Sequence, residues 1–158
     1  MIRAARASDA DAIAAIWNTV ISETTITFTT TRKTTNGLAA DIMTRGSGFL
    51  VAEESSEILG FATYFPFRNG PGYAHTVEHS IMLAPSAKGK GLGRALMDVL
   101  CENARAAGKH SLIAGVSGEN AAAIAFHAAL GFRVIARLPE VGRKFGRWHD
   151  LVLMQKML

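Results

Sequence analysis

The sequence predicts a mixed α/β sandwich on a largely antiparallel sheet, and three observations point there. Strand-like segments come in runs, with helices set singly between them, rather than in regular one-to-one alternation. Polar or glycine-rich turns separate neighbouring strands, as at Glu54 to Glu57 and in "NGPG", Asn69 to Gly72. No repeat, low-complexity linker or charge block divides the chain, so residues 1–158 are expected to form one domain.

The elements follow in order. Ser8 predicts an N-cap, with Asp9 and Asp11 favourable in a first helical turn. Ile13, Ile16, Trp17, Val20 and Ile21 then recur at helical spacing. "TTITFTTTRKTT" (24–35) is too β-branched for a comfortable helix and reads as extended loop. A short helix over Leu38 to Arg45 leads to strands at Phe49 to Glu53 and Ile58 to Phe65. Thr76 to Leu83 is the next strand. Beyond a glycine-rich loop, Leu92, Leu96, Val99 and Leu100 stripe one helix face, with Gly108 as a stop. Ser111 to Val116 is a short buried strand, "GENAAAIAFHAALGF" a helix ended by Gly131, and Phe132 to Leu138 and Trp148 to Met157 are the last strands.

Composition narrows the function classes little. The chain is 49% hydrophobic and 19% charged, with no run of about eighteen uncharged apolar residues to span a membrane. Its start lacks a signal-peptide core. The lone Cys101 leaves no internal disulfide and fits a reducing cytoplasm, and its place in an amphipathic helix reads as core. A formal charge of +4 suits an anionic cofactor as well as nucleic acid.

The most informative local stretch is "AKGKGLGRAL", Ala87 to Leu96. A glycine-rich turn between strand and helix points free N–H groups outward, where the helix N-terminus favours an anion. Gly89, Gly91 and Gly93 let backbone approach a phosphate, and Lys88, Lys90 and Arg94 add charge. By spacing alone, a solvated basic turn fits equally. A P-loop is excluded because Gly91 follows Lys90 where Ser or Thr should bind magnesium. A dinucleotide fingerprint is excluded too: the spacing is G-x-G-x-G, and "SLIAGV" ends without an acid.

The loop resembles the acetyl-CoA loop of the GNAT N-acetyltransferases, Q/R-x-x-G-x-G/A, with Lys88 at the Gln/Arg position. "HTVEHSIML", "KGKGLGRAL", "GENAAAIAFHAALGF" and "VGRKFGRWHDLVLMQ" extend the likeness along nearly the whole chain. They resemble the phosphinothricin and methionine sulfoximine acetyltransferase branch. The resemblance implies the GNAT fold, helices on both sheet faces, acetyl-CoA as co-substrate, no metal, a cytoplasmic homodimer, and no nucleic-acid or membrane partner.

It also implies site residues. The cofactor arm would lie along Ile81, Met82 and Leu83. Gly89, Lys90, Gly91, Leu92, Gly93 and Arg94 would hold its pyrophosphate, and Asn120 would bond the arm or cap the next helix. Glu78, matching the Glu of "VEH", would accept a proton from the attacking amine or orient it as ammonium. His79 and Ser80 would line the substrate pocket, although alternation turns His79 away from Glu78 and Ser80. His127 stands where many relatives carry a tyrosine acid and would serve the departing thiol. Arg68, with Asn69 and Gly70, would grip an oxyanion of an amino-acid substrate through a guanidinium fork. Phe28, Phe67 and Trp148 are candidate pocket walls. "RKFGRWH", 143–149, is too short a cation–aromatic cluster for single-stranded nucleic acid and reads as a loop at the active site or dimer interface. The rivals are transfer to a polyamine or a protein N-terminus, and a CoA-binding module without turnover.

Overall fold

The computed structural model describes residues 1–158. In chain order the elements are β1 (Ile2–Ala4), α1 (Ala10–Glu23), α2 (Thr35–Arg45), β2 (Phe49–Glu54), β3 (Glu57–Pro66), β4 (Thr76–Leu83), α3 (Leu92–Ala106), β5 (Ser111–Ser117), α4 (Ala121–Ala129), β6 (Arg133–Lys144) and β7 (Arg147–Met157). They build a seven-stranded sheet ordered β1-β2-β3-β4-β5-β7-β6, in which only β4 and β5 run parallel. The expected mixed, mostly antiparallel architecture is therefore present.

Helices cover both faces. The apolar stripe of α1 (Ile13, Trp17, Ile21) joins Leu38 and Ile42 of α2 against Phe49, Val51 and Phe61 on one face. On the other, Leu96, Met97, Leu100 and Cys101 of α3 pack on Leu50, Ala62, Leu112 and Ala114. Phe49, Phe61, Ile13 and Leu96 are wholly buried, each worth about 1.5–3 kcal/mol over an exposed position. These layers fix β4 and β5 between two packed sides, leaving the sheet's centre to carry the site.

Local chemistry explains where the expectations moved. Ser8 does not cap α1; it is exposed in a 3₁₀ turn, and Asp9 takes the cap position. The Asp9 carboxylate accepts the Arg6 N–H at 2.7 Å and both Arg3 guanidinium nitrogens, Nη1 at 2.8 Å and Nη2 at 3.0 Å. A charged acceptor wins there over a hydroxyl because it takes charge-assisted bonds. β1 was not foreseen, because three residues with a central arginine show no alternation; pairing of Ile2 with Ala52 makes it a strand.

The second correction concerns the C-terminal hairpin. β6 runs past Leu138 to Lys144, and "RKFGRWH" is not a loop but the tip of two long strands. Lys144 pairs with Arg147 around Phe145 and Gly146, whose φ values of 53° and 70° make the two-residue turn that suits strand twist. Pro139 is tolerated because β6 is the sheet's edge and shifts register between Leu138 and Gly142.

Candidate active site

β4 and β5 pair only from Thr76 opposite Ser111 to His79 opposite Ala114, then part. On its other side β4 stays paired with β3 as far as Leu83 opposite Gly60. Ser80 to Leu83 therefore keep one edge without a strand partner, and a cavity of about 700 Å³ opens at the fork. Because the fork passes through the sheet, residues from both faces reach this space.

Glu78 enters it from the α1/α2 face. Phe65 pairs with Glu78 and Thr63 with Ser80, so these four side chains share that face with Phe61 and Met82. Gly115 lies across the fork beside the carboxylate, where a methyl would come into ordinary contact with Glu78 Oε2 at 3.4 Å. Glu78 takes part in no ion pair, and burial alone pushes its pKa above the ordinary carboxylate range.

His79 points the other way, as alternation predicts, into the α3/α4 side. Its ring lies 5.5 Å from Phe132 and 5.2 Å from His127, all measured between centroids. The two histidines meet Nε2 to Nε2 at 3.1 Å, and His127 Nδ1 lies 2.7 Å from the Ala123 carbonyl. Burial holds both neutral, pushing His79 down to about 3 with the neighbouring His127 adding to it, and lowering His127 as well. One neutral arrangement satisfies these contacts. His127 Nδ1–H donates to Ala123, and His79 Nε2–H donates to His127, leaving His79 Nδ1 as a buried lone pair without a partner. In this arrangement His127 has no N–H left for a departing thiol.

The loop between α1 and α2 closes the other end of the cavity. Asn18 on α1 fixes it by accepting the Lys33 N–H at 2.7 Å and donating to the Lys33 carbonyl at 3.0 Å. The C-terminal hairpin fixes it again, 120 residues away in sequence. Buried Lys144 donates from Nζ to the carbonyls of Thr24 at 2.6 Å and Thr27 at 2.7 Å. Phe28, which lines the cavity, stacks on the buried His149 ring at 5.3 Å and lies where any side chain on Gly142 would have to go; a methyl there would sit 2.3 Å from the ring.

At the glycine loop, Gly89 and Gly91 have φ of 78° and 72°, which L side chains rarely adopt. The first helical bond of α3 runs from Ala95 N–H to the Gly91 carbonyl, at 3.2 Å. The N–H groups of Leu92, Gly93 and Arg94 thus have no helical acceptor, as at any helix start without a side-chain cap. Gly93 is buried, and a methyl there would press on Phe126 of α4 at 3.3 Å, which favours glycine at this position. The loop cations are partly engaged: Lys90 pairs with Glu54, and Arg94 donates to the Ala129 carbonyl at 3.3 Å. Asn120 caps α4 by accepting the Ala123 N–H at 3.1 Å, leaving its amide N–H₂ available at the cavity wall.

A splayed parallel pair, a free strand edge and an open helix N-terminus suit an extended ligand that ends in phosphate. A profile of the acetyltransferase (GNAT) family matches residues 13–132. The chain belongs to that family. It is thus a GNAT N-acetyltransferase, an enzyme of a family that uses acetyl-CoA. It is 41% identical to the L-methionine sulfoximine/L-methionine sulfone acetyltransferase of Salmonella typhimurium, across 99% of this chain and 94% of that one. Its fold superposes on a GNAT superfamily phosphinothricin acetyltransferase from Sinorhizobium meliloti in complex with AcCoA, with TM-score 0.93 and 34% identity, covering 100% of this chain and 88% of that. A ribosomal-protein-alanine N-acetyltransferase from Brucella melitensis matches with TM-score 0.95 and 39% identity, over 100% and 99% of the two chains.

On this GNAT framework the cavity gathers Glu78, His79, Ser80, Ile81, Met82, Leu83, Gly93, Asn120 and His127 from the sequence-stated set. Of the glycine loop only Gly93 reaches this wall, Gly89, Lys90, Gly91, Leu92 and Arg94 lying beyond it, and the cavity does not gather Arg68, Asn69 and Gly70. They lie exposed in the turn after β3, with the Arg68 guanidinium 5.6 Å over the Tyr73 ring. Phe67 and Trp148 also stay off the wall, and Trp148 instead packs under Arg143 at 4.5 Å. Two cations that line the cavity were overlooked, Lys33 and Arg45. The sequence marks Arg45 only as the end of a short helix, and the β3–α2 packing turns its guanidinium onto Thr63. No cluster of three or more metal-ligating side chains occurs in the fold.

Proposed function

We propose that this GNAT enzyme acetylates the α-amino group of a small amino acid of the methionine sulfoximine, methionine sulfone or phosphinothricin kind by direct transfer. The observation that carries the reading is Glu78: a half-buried carboxylate without a cation, at the fork where β4 and β5 part. An amine is mostly protonated near neutral pH and must lose a proton to attack, and a carboxylate with a raised pKa is a better matched acceptor than an exposed one. Acetyl-CoA, when bound, supplies the acyl group on a thioester.

In this reading the free edge at Ile81 to Leu83 and the Asn120 amide hold the cofactor arm. The N–H groups of Leu92, Gly93 and Arg94, with the Gly89 to Gly91 turn, hold its diphosphate. The loop around Phe28 excludes water from the amine, and Ser80 shares Glu78's face for the substrate. The thiol product has a reference pKa of about 8.5, so it departs as thiolate with little help. An acid role for His127 requires its ring to let go of the Ala123 carbonyl.

The test is thiol release from acetyl-CoA against an amine panel. Turnover is expected with methionine sulfone, methionine sulfoximine or phosphinothricin, and not with spermidine or an alanyl peptide. Peptide turnover would instead favour the activity named for the Brucella relative; no turnover with any amine would leave a CoA-binding module. We also propose a cytoplasmic homodimer formed through the β6 edge, where Val134, Ile135, Val141, Phe145 and Trp148 are all at least half exposed. A monomer mass by light scattering would refute that.

A further inference from the structure

We propose that Arg45, assisted by Lys33, is the anchor for the substrate's α-carboxylate, one of the two oxyanion ends that the sequence resemblance leaves open to Arg68. The inference rests on the amino-acid reading above and sharpens it.

Three charged side chains line the cavity: Glu78, Lys33 and Arg45. Arg45 ends α2, which packs on the same sheet face that carries Glu78. Its Nη1 donates to Thr63 Oγ1 at 3.1 Å, and its guanidinium carbon lies 5.3 Å from the Phe65 ring centre. Phe65 is the direct cross-strand partner of Glu78, and Thr63 of Ser80. The guanidinium is therefore stationed about one cross-strand neighbour from the carboxylate, on one wall of one cavity. Lys33 is held nearby by the paired Asn18 bonds, with its Nζ 4.4 Å from the Trp17 ring.

Glu78 is matched by no cation of the protein, and Arg45 is matched only loosely by an anion. Arg45 has Asp41 one helical turn back, at 3.6 Å and half exposed, which is too long for a good hydrogen bond. Only one of its five N–H donors has a protein acceptor at bonding distance. Glu78 has no cation, and the two do not close into an ion pair with each other. A half-buried cation and a half-buried anion, set apart along one wall of the same cavity, are complementary to a zwitterion. An α-amino acid would set its nitrogen at Glu78 and its carboxylate at the guanidinium fork; once the ammonium has given its proton to Glu78, this also fixes the direction in which the nitrogen's single lone pair points. Arg68 also has no ion pair, but it is exposed and lies outside the cavity wall.

The experiment compares Arg45→Gln with wild type on L-methionine sulfone and on its carboxamide, which has the same side chain and amine but no anion. For the free acid, KM is expected to rise about 10- to 100-fold, the loss of a charge-assisted contact. For the carboxamide, KM should move less than about threefold, with kcat little changed. Lys33→Met should show the same preference to a lesser degree. Arg45→Lys should restore part of the acid's advantage, because it returns charge without the fork. Acetyl-CoA affinity by calorimetry reports whether each variant is folded. A role confined to stabilising the end of α2 predicts equal losses for acid and amide, and that result overturns the proposal. So does a selective loss for the free acid in Arg68→Ala in place of Arg45→Gln. If wild type turns over no amino acid at all, the functional reading falls and takes this anchor with it; if it does and Arg45→Gln keeps the acid-over-amide preference, only the anchor falls.

Discussion

The cofactor half and the substrate half of this site are built in opposite ways. The first is nearly continuous: β4, the glycine loop and the start of α3 run from Thr76 to Arg94, and local chemistry specifies each step. The second is assembled from parts far apart in sequence, with Thr24 and Thr27 tied to Lys144, Phe28 seated on Gly142 and Arg45 turned onto Thr63. On the proposed reading, a shared ligand such as acetyl-CoA depends mainly on the local half, with Asn120 added from the start of α4. Discrimination among amines depends on the assembled half, so variation there should alter substrate while leaving the cofactor site intact.

Glu78→Gln should break the comparison most severely, because Glu78 stands where the two halves meet. A drop in kcat of about 10²- to 10⁴-fold is expected, the usual contribution of a positioned base, with acetyl-CoA affinity by calorimetry unchanged. The pH profile sharpens this. The base works when ionised, so activity should fall as pH drops through its folded pKa, which burial sets above the ordinary carboxylate range. The variant should lose that limb. Stability should move the other way. A carboxyl whose folded pKa is raised holds its proton more tightly folded than unfolded, so ionising it costs stability as pH rises from the unfolded value through the folded one. Glu78→Gln should thus be at least as stable as wild type at pH 8 and gain nothing at pH 4. A less stable variant at pH 8 would mean that Glu78 is a structural carboxylate.

The same division explains what was legible in the sequence. The glycine loop, the VEH strand and the caps at Asn120 and Gly131 are local signals, and their positions in the fold follow from them. Phe28 could be named as a wall candidate, but nothing in "TTITFTTTRKTT" says what holds it. Its support is Gly142, the His149 ring and the Lys144 ammonium, on a hairpin more than a hundred residues later. Arg68 was chosen because a turn beside the VEH strand resembles a family position, whereas Arg45 sits at a helix end, where a cation always has a local reason to be. Ser8 erred for a related reason: its partnerless hydroxyl was read without Arg3, which pairing of β1 to β2 brings to Asp9.

Lys144→Met should have the next largest effect, confined to the assembled half. Its ammonium is buried and bonds two carbonyls that have no substitute partner in the variant. Charge-assisted bonds of this kind contribute about 1.5–3 kcal/mol each, and part of that is returned by removing a buried charge. A net loss of about 2–3 kcal/mol would lower Tm by about 5–10 °C in a chain of this size. The amino-acid KM should rise as the Phe28 loop loosens, and the acetyl-CoA KM should hold. Equal increases in both constants would show the two halves to be coupled.

The smallest effect separates backbone from charge within the cofactor half. Lys90 is exposed and its ammonium already pairs with Glu54, so Lys90→Met should raise the acetyl-CoA KM no more than about threefold, in keeping with the small worth of exposed ion pairs. Gly91→Ala removes no charge but forces a methyl onto a residue with φ of 72°, at the cap of α3. The left-handed conformation costs an L residue about 1 kcal/mol or more, and relief by moving the turn would swing the Leu92 to Arg94 N–H groups off the diphosphate. Gly91→Ala should therefore weaken acetyl-CoA more than Lys90→Met does, with both leaving the amino-acid KM in place. The reverse order, with a steep dependence on salt, would mean that long-range charge rather than aligned amides holds the cofactor.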